Sequence, residues 1–283
     1  MKQKFKIGVM VESFKLGLFG GIEKAAEIEA DGVQIRAAAE AAPDILSRTQ
    51  RIDLKNKIVS KGLEVSAVCG EIGGYGFERA DGNKSQIEKI KKAIDLAVEL
   101  SAPVVTTHIG VVPEDDSCDR WKIMAAACAE VASCAAAEGI TFAIETGPEP
   151  CLRLKAFLDK ISSKGIGVNF DPANLVMVIG DDPAAGVSTL GPYIVHTHAK
   201  DGRMLKQESP EIIYHAFAES DFDFDYQQYF IETPLGEGDV DFDGYTRALE
   251  QIGYSGYLTI EREVGADPVG DIVKARRFLE KYR

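Results

Sequence analysis

Short runs of β-branched and aromatic residues alternate with longer stretches of helical periodicity along the whole chain. The runs Phe5–Val11, Val33–Arg36, Leu63–Cys69, Val104–His108, Thr141–Glu145, Ile166–Asp171, Ile194–Lys200 and Tyr257–Glu261 read as strands. Between them, Gly21–Ala30, Lys84–Leu100, Cys118–Glu138, Leu152–Ser163, Tyr245–Ile252 and Val269–Tyr282 read as helices. Gly32, Gly62, Gly139, Gly165 and Gly253 stand where each helix gives way to a strand, the position of a left-handed helix cap. Eight strands with crossover helices predict an α/β fold of the (β/α)8 barrel type, with 1–283 as one barrel domain. An open doubly wound sheet would carry a glycine-rich phosphate loop after its first strand. Here that position reads VESFKLGLFGG, with neither GxGxxG nor GxxxxGK[ST]. One stretch, 201–243 between the seventh and eighth strands, breaks the rhythm with the acidic, aromatic run YHAFAESDFDFDYQQYF. It reads either as a lid or contact surface, or as a solvated excursion with a short helix.

Side chains alternate across a strand, so parity separates the barrel interior from the helix-facing side. Phe142 with Ile144, Val168 with Phe170, Val195 with Thr197, and Leu258 with Ile260 fall on the outward parity. The opposite parity gives an inward row that holds Glu145, Asn169, Asp171, His196, His198, Lys200, Thr259 and Glu261. The earlier strands add Met10, Glu12, Gln34, Arg36, Thr106 and His108. Ionisable residues end these inward rows at the C-terminal face, where barrels build their active sites.

Buried carboxylates are costly unless they are paired or bind a cation. Four successive strands deliver Glu145, Asp171, His198 and Glu261 to one rim, and a divalent metal accounts for that economically. Three carboxylates and one imidazole are a mostly hard oxygen set, so Mn²⁺ comes first, with Mg²⁺, Co²⁺ or Zn²⁺ as alternatives.

The formal charge of −13 repels phosphate backbones, so no nucleic-acid partner is expected. No apolar run approaches the ~20 residues that cross a bilayer, so no membrane partner is expected either. Glu12 and Lys15 break the first apolar run, which argues against a signal peptide. Cys69, Cys118, Cys128, Cys134 and Cys151 show no CxxC spacing and read as packed free thiols. A cytoplasmic protein is the expectation. An aromatic loop at a barrel rim also suits subunit pairing, which leaves a homo-oligomer open.

The motifs IETGPE, NFDPANL, HTHAKDG, PLGEGDVDF and LTIERE together resemble the sugar phosphate isomerase/epimerase group of xylose-isomerase-like TIM barrels, related to the endonuclease IV fold. The resemblance runs from the first strand to the last helix and is densest from Thr141 onward. It implies a metal held by Glu145, Asp171, His198 and Glu261, the four that parity picks out. It also implies that Glu145 and Glu261 serve as the acid–base pair for a small sugar or keto-polyol substrate. Proton transfer through an enediolate then gives epimerisation or aldose–ketose isomerisation, and loss of a β-hydroxyl would give dehydration.

Around the quartet, His108 reads as a contact to a sugar hydroxyl or carbonyl, or as a hydrogen-bonded rim histidine. His196, one inward step deeper, is the candidate to orient a metal ligand. Lys200 reads as a substrate contact or proton-transfer aid, or as a structural pair with Asp201. Arg36 is a candidate for a substrate phosphate or carboxylate, and Arg262, of outward parity, is the weaker choice. Glu12 and Glu149 are polar contacts at most, and His215 carries no assignment. Three rivals stand beside the isomerase/epimerase reading. An apurinic endonuclease needs many more histidines than the four present. A non-catalytic sugar-binding barrel would not need the intact quartet. A metal-dependent dehydratase or isomerase of an inositol-derived or 3-keto sugar ketone would use the same residues.

Overall fold

A computed structural model describes residues 4–218 and 224–283. Its barrel strands are β1 (Lys6–Met10), β2 (Gly32–Arg36), β3 (Glu64–Cys69), β4 (Val104–Thr107), β5 (Thr141–Glu145), β6 (Ile166–Phe170) and β7 (Ile194–Ala199), closed by β10 (Tyr257–Ile260). All pair in parallel in the closed order β1-β10-β7-β6-β5-β4-β3-β2. Each lies within one residue of its sequence-predicted bounds.

The principal helices between the strands are α1 (Gly17–Glu27), α2 (Arg48–Ser60), α3 (Ala80–Leu100), α4 (Asp119–Ala137), α5 (Cys151–Ile161), the short α6 (Pro172–Asn174), α7 (Pro183–Leu190), α8 (Pro210–Ala218), α9 (Phe242–Gln251) and α10 (Pro268–Leu279). No described helix is long and apolar enough to cross a membrane. Periodicity alone missed α2, α6, α7 and α8. In α2 the chain RTQRIDLKNKIVS buries only Leu54 and Ile58, too thin a stripe to register, and its start rests on a Ser47–Gln50 capping box.

Two of the five glycines do not cap a helix. Gly62, Gly139 and Gly253 take positive φ as expected, but Glu29 and Ser162 occupy the left-handed positions near Gly32 and Gly165. Those two glycines answer to crowding instead. A Cβ on Gly165 would sit 2.0 Å from the Ala132 carbonyl oxygen, and one on Gly32 would sit 2.8 Å from that of Glu64.

The parity assignment holds. Phe142, Ile144, Val168 and Phe170 are buried in the main core between sheet and helices. Ala67, Val104 and Ala143 form a separate small cluster on the inward parity. The five cysteines are free thiols, buried or half-buried.

Among the described residues, the connection from β7 to β10 carries a strand pair and a short helix. β8 (Asp201–Met204) pairs antiparallel with β9 (Phe230–Thr233), and α8 lies between them. Residues 219–223 of the aromatic, acidic run lie outside the described residues.

Candidate active site

Strand ends and the turns after them position the four candidate ligands. Glu145 ends β5, Asp171 follows β6, His198 lies near the end of β7, and Glu261 follows β10. One ligand atom from each falls within 4.8 Å of the others, and all four residues are buried. His198 Nδ1 lies 3.3 Å from Asp171 Oδ2, 3.3 Å from Glu261 Oε2 and 3.6 Å from Glu145 Oε1.

Local chemistry divides the labour of each carboxylate. Asp171 Oδ1 caps α6, accepting from the backbone N–H groups of Ala173 (2.8 Å) and Asn174 (3.0 Å), which leaves Oδ2 to the site. Thr146 fixes the turn: its Oγ1 accepts from Asp171 N at 2.8 Å and donates to the Asp171 carbonyl at 3.0 Å. Glu145 Oε2 accepts from Asn169 Nδ2 at 3.0 Å, while Oε1 accepts from Asn174 Nδ2 at 3.3 Å.

The imidazole is oriented from behind. His198 Nε2 lies 3.0 Å from Gln34 Oε1, and Gln34 donates its own amide to Thr106 Oγ1 at 3.0 Å. The Gln34 oxygen favours a proton on Nε2, and Nδ1 faces the three carboxylates. A cation or a proton at Nδ1 relieves the repulsion among them.

His196 contacts Asn169, which in turn donates to Glu145. Its Nδ1 lies 2.8 Å from Asn169 Oδ1, while Nε2 meets Thr259 Oγ1 at 3.0 Å. A register irregularity between Val168 and Asn169 brings Asn169 level with His196 across the β6–β7 pair.

Electrostatics follow the same geometry. Burial favours the neutral Glu145 carboxyl, yet the imidazoles of His108 and His198 outweigh it and hold it down at about 2. Burial likewise opposes ionisation of Glu261, but Lys200 and His198 hold it well below the usual carboxylate range. Burial prevails at Asp171 and pushes its carboxyl up. His198 and Lys200 are also buried, yet the neighbouring carboxylates raise both well above their usual values. Burial drives His196 down to about 3, so it stays neutral.

The site opens into a cavity lined by His108, Arg36, Lys200, Glu145 and Glu261. His108 is exposed, with Nε2 3.4 Å from Glu145 Oε1. Lys200 Nζ sits 3.0 Å from Glu261 Oε2 and also meets Glu263. Its proposed pairing with Asp201 does not occur, because adjacent strand residues point to opposite faces. Asp201 instead accepts from the backbone N–H groups of Gly202, Gly236, Gly238 and Val240 at 2.9–3.1 Å, pinning the PLGEGDV turn. Arg36 Nε pairs with Glu71 at 3.1 Å.

Arg262 faces away from the cavity, bound to Glu232 (2.7 Å) and Asp271 (3.0 Å). Glu149 does not line the cavity, and Glu12 lines a neighbouring pocket instead. The sequence reading missed His215, which lines the cavity beside Tyr75 and bonds Glu78 Oε2 at 3.0 Å. Tyr214, Phe217, Glu232 and Glu263 were also missed as lining residues. They sit on α8, β9 and the segment after β10, where strand parity gives no guide.

Among known proteins, residues 22–282 match a family described as the xylose isomerase-like TIM barrel. An uncharacterized protein of Methanocaldococcus jannaschii is 27% identical over 218 residues, 70% of this chain, which spans 62% of that relative's length. An Escherichia coli protein named putative L-ribulose-5-phosphate 3-epimerase is 25% identical over 244 residues, 83% of this chain and 79% of its own. The crystal structure of a xylose isomerase domain protein from Planctomyces limnophilus is similar with a TM-score of 0.81 at 24% identity, covering 100% of this chain and 98% of that one.

Proposed function

The chain belongs to the xylose isomerase-like TIM barrel family, and on that premise we propose that it is a divalent-metal-dependent sugar isomerase or epimerase. The observation that carries this reading is the quartet Glu145, Asp171, His198 and Glu261, whose ligand atoms converge within 4.8 Å at the C-terminal end of the barrel. The name of the Escherichia coli relative supports a sugar substrate. The donor set fits a metal: three buried carboxylates converge on one imidazole, with Lys200 paired to Glu261 alone among them, and hard oxygens suit Mn²⁺ or Mg²⁺. An unpaired-thiol, acidic chain is in keeping with a reducing, cytoplasmic setting. Residues 1–283 would then act as one barrel domain, with the 201–243 excursion forming part of the cavity wall.

In this reading a bound divalent ion would draw charge from the carbonyl and hydroxyl of a ketose and acidify the neighbouring C–H. Glu145 and Glu261 then take and return that proton. Both carboxyls are ionised at neutral pH, so either can act as the base. Lys200, protonated and 3.0 Å from Glu261, keeps a proton within reach of that glutamate. Asn169 and Asn174 hold both oxygens of Glu145 and thereby fix the direction from which it approaches the substrate carbon. His108, exposed beside Glu145, is placed to donate to a substrate hydroxyl or carbonyl.

The test is solvent exchange. Ketoses incubated with the protein in D₂O should gain deuterium at one carbon, followed by proton NMR. Absence of wash-in across a broad panel of ketoses and cyclic ketones would reject the reading.

A further inference from the structure

Beyond the quartet, the cavity changes character. It encloses about 500 Å³. That lies within the ~300–1,000 Å³ of sites for drug-sized ligands, and it is more space than one sugar ring fills. Exposure orders its wall from inside to outside: Glu145 and Glu261 are buried, Tyr214 and His215 are half-buried, and Phe217 is 60% exposed. Aromatic contacts run along the same path. The His108 and Tyr214 rings meet edge-on with centroids 5.8 Å apart, and Tyr75 packs on His215 at 4.8 Å. At the mouth, Phe217 lies 5.7 Å from Tyr226 and 6.5 Å from Phe230, with Tyr226 and Phe230 stacked at 5.6 Å. An exposed phenyl ring at a cavity mouth, backed by the half-buried Tyr226 and Phe230, offers a face for a ligand to cover.

Charge narrows the ligand further. Glu71, Glu78, Glu232 and Glu263 line the cavity in addition to the quartet's two glutamates. Among the described lining residues the cations are Arg36 and Lys200: Lys200 Nζ is held by Glu261 at 3.0 Å, while Arg36 Nε lies 3.1 Å from Glu71 without a hydrogen bond. A phosphoryl group wants charge-assisted donors, and here it would meet a field of its own sign. In this the cavity departs from the phosphorylated sugar in the Escherichia coli relative's name.

We propose that the site takes an unphosphorylated, uncharged keto-sugar that carries a second ring in glycosidic linkage. The keto-sugar sits at the quartet, and the second ring lies against Phe217, Tyr226 and Phe230. This rests on the isomerase/epimerase reading and adds the substrate class to it.

Three probes share one ketose and differ only at its sixth carbon: fructose, fructose 6-phosphate and 6-O-glucosyl-fructose. Saturation-transfer NMR on the metal-loaded protein reports which ring touches it, and deuterium wash-in reports turnover. The expected result is saturation of the glucosyl protons and a kcat/KM about tenfold above that for fructose, with the phosphate slowest. Phe217→Ala should cut the two-ring to one-ring ratio of kcat/KM by roughly tenfold, mainly through KM, and Phe217→Tyr should restore it. Saturation confined to the fructosyl ring, or fastest exchange with fructose 6-phosphate, would overturn the proposal while leaving the isomerase reading standing. Glucosyl contact without deuterium exchange in any probe would uphold the subsite and count against that reading instead.

Discussion

His196 Nδ1 lies 2.8 Å from Asn169 Oδ1, and this contact decides which end of the amide faces Glu145. With the oxygen taken by the histidine, Asn169 presents Nδ2 to Glu145 Oε2 at 3.0 Å. His196→Phe removes the donor, leaves the buried Asn169 oxygen without that partner and loosens the amide that holds Glu145. Partners of this kind typically change metal affinity or activity by 10–100-fold, so a Mn²⁺ titration should show a loss of about that size. Unchanged affinity would mean that Asn169 is held without the histidine.

Glu145→Gln and Glu261→Gln should each abolish turnover and leave the circular dichroism spectrum intact. Loss of a general acid or base costs on the order of 10²–10⁴ in rate, and weakened metal binding adds to that. Wild-type-like exchange in either variant would remove that residue from the acid–base pair.

Glu149 makes a pH prediction away from the quartet. Burial pushes its carboxyl up to about 8, against a single backbone N–H from Val112 at 3.2 Å. The folded state therefore holds a proton that the unfolded chain releases near its ordinary value of 4.5. The stability from this group is full below that value and is lost as pH rises towards 8, by up to about 1.4 kcal/mol per unit. Glu149→Gln keeps the shape without the titration. Its stability relative to wild type, measured by denaturant unfolding, should rise steadily from pH 5 to pH 8. A difference independent of pH would contradict the assignment.

Gly139 and Gly165 stand at equivalent helix-to-strand junctions but for different reasons. Gly139 has φ of +71° with open space around its Cβ position, so alanine costs roughly 1 kcal/mol of backbone strain. An alanine at 165 would press on the Ala132 carbonyl and force the backbone apart, costing about 3 kcal/mol. Denaturation midpoints of the two variants should therefore separate, with Gly165→Ala the less stable. The reverse order would place the strain at Gly139.

The barrel was legible because its strands obey one rule. Strict alternation puts Phe142 and Ile144 against the helices and Glu145 in the site, so the same parity that located the core also found the quartet. Where the rule runs out, so did the reading. Parity should have rejected a Lys200–Asp201 pair, since neighbours in an extended chain diverge. His215 and Phe217 lie on α8, outside the barrel pattern, and only the folded excursion brings them to the cavity. Gly165 looked like a cap because a close backbone approach leaves the same residue in the sequence as a left-handed turn does.

The central claim is that Glu145, Asp171, His198 and Glu261 hold one divalent metal ion. Elemental analysis of the purified protein, repeated after chelation and reconstitution with Mn²⁺, tests it most directly, with His198→Leu as the comparison. The account predicts one equivalent of metal per chain in the wild type and its loss in a variant that still folds. A chain that takes up no divalent ion after reconstitution, or a folded His198→Leu variant with undiminished metal content and affinity, would contradict it.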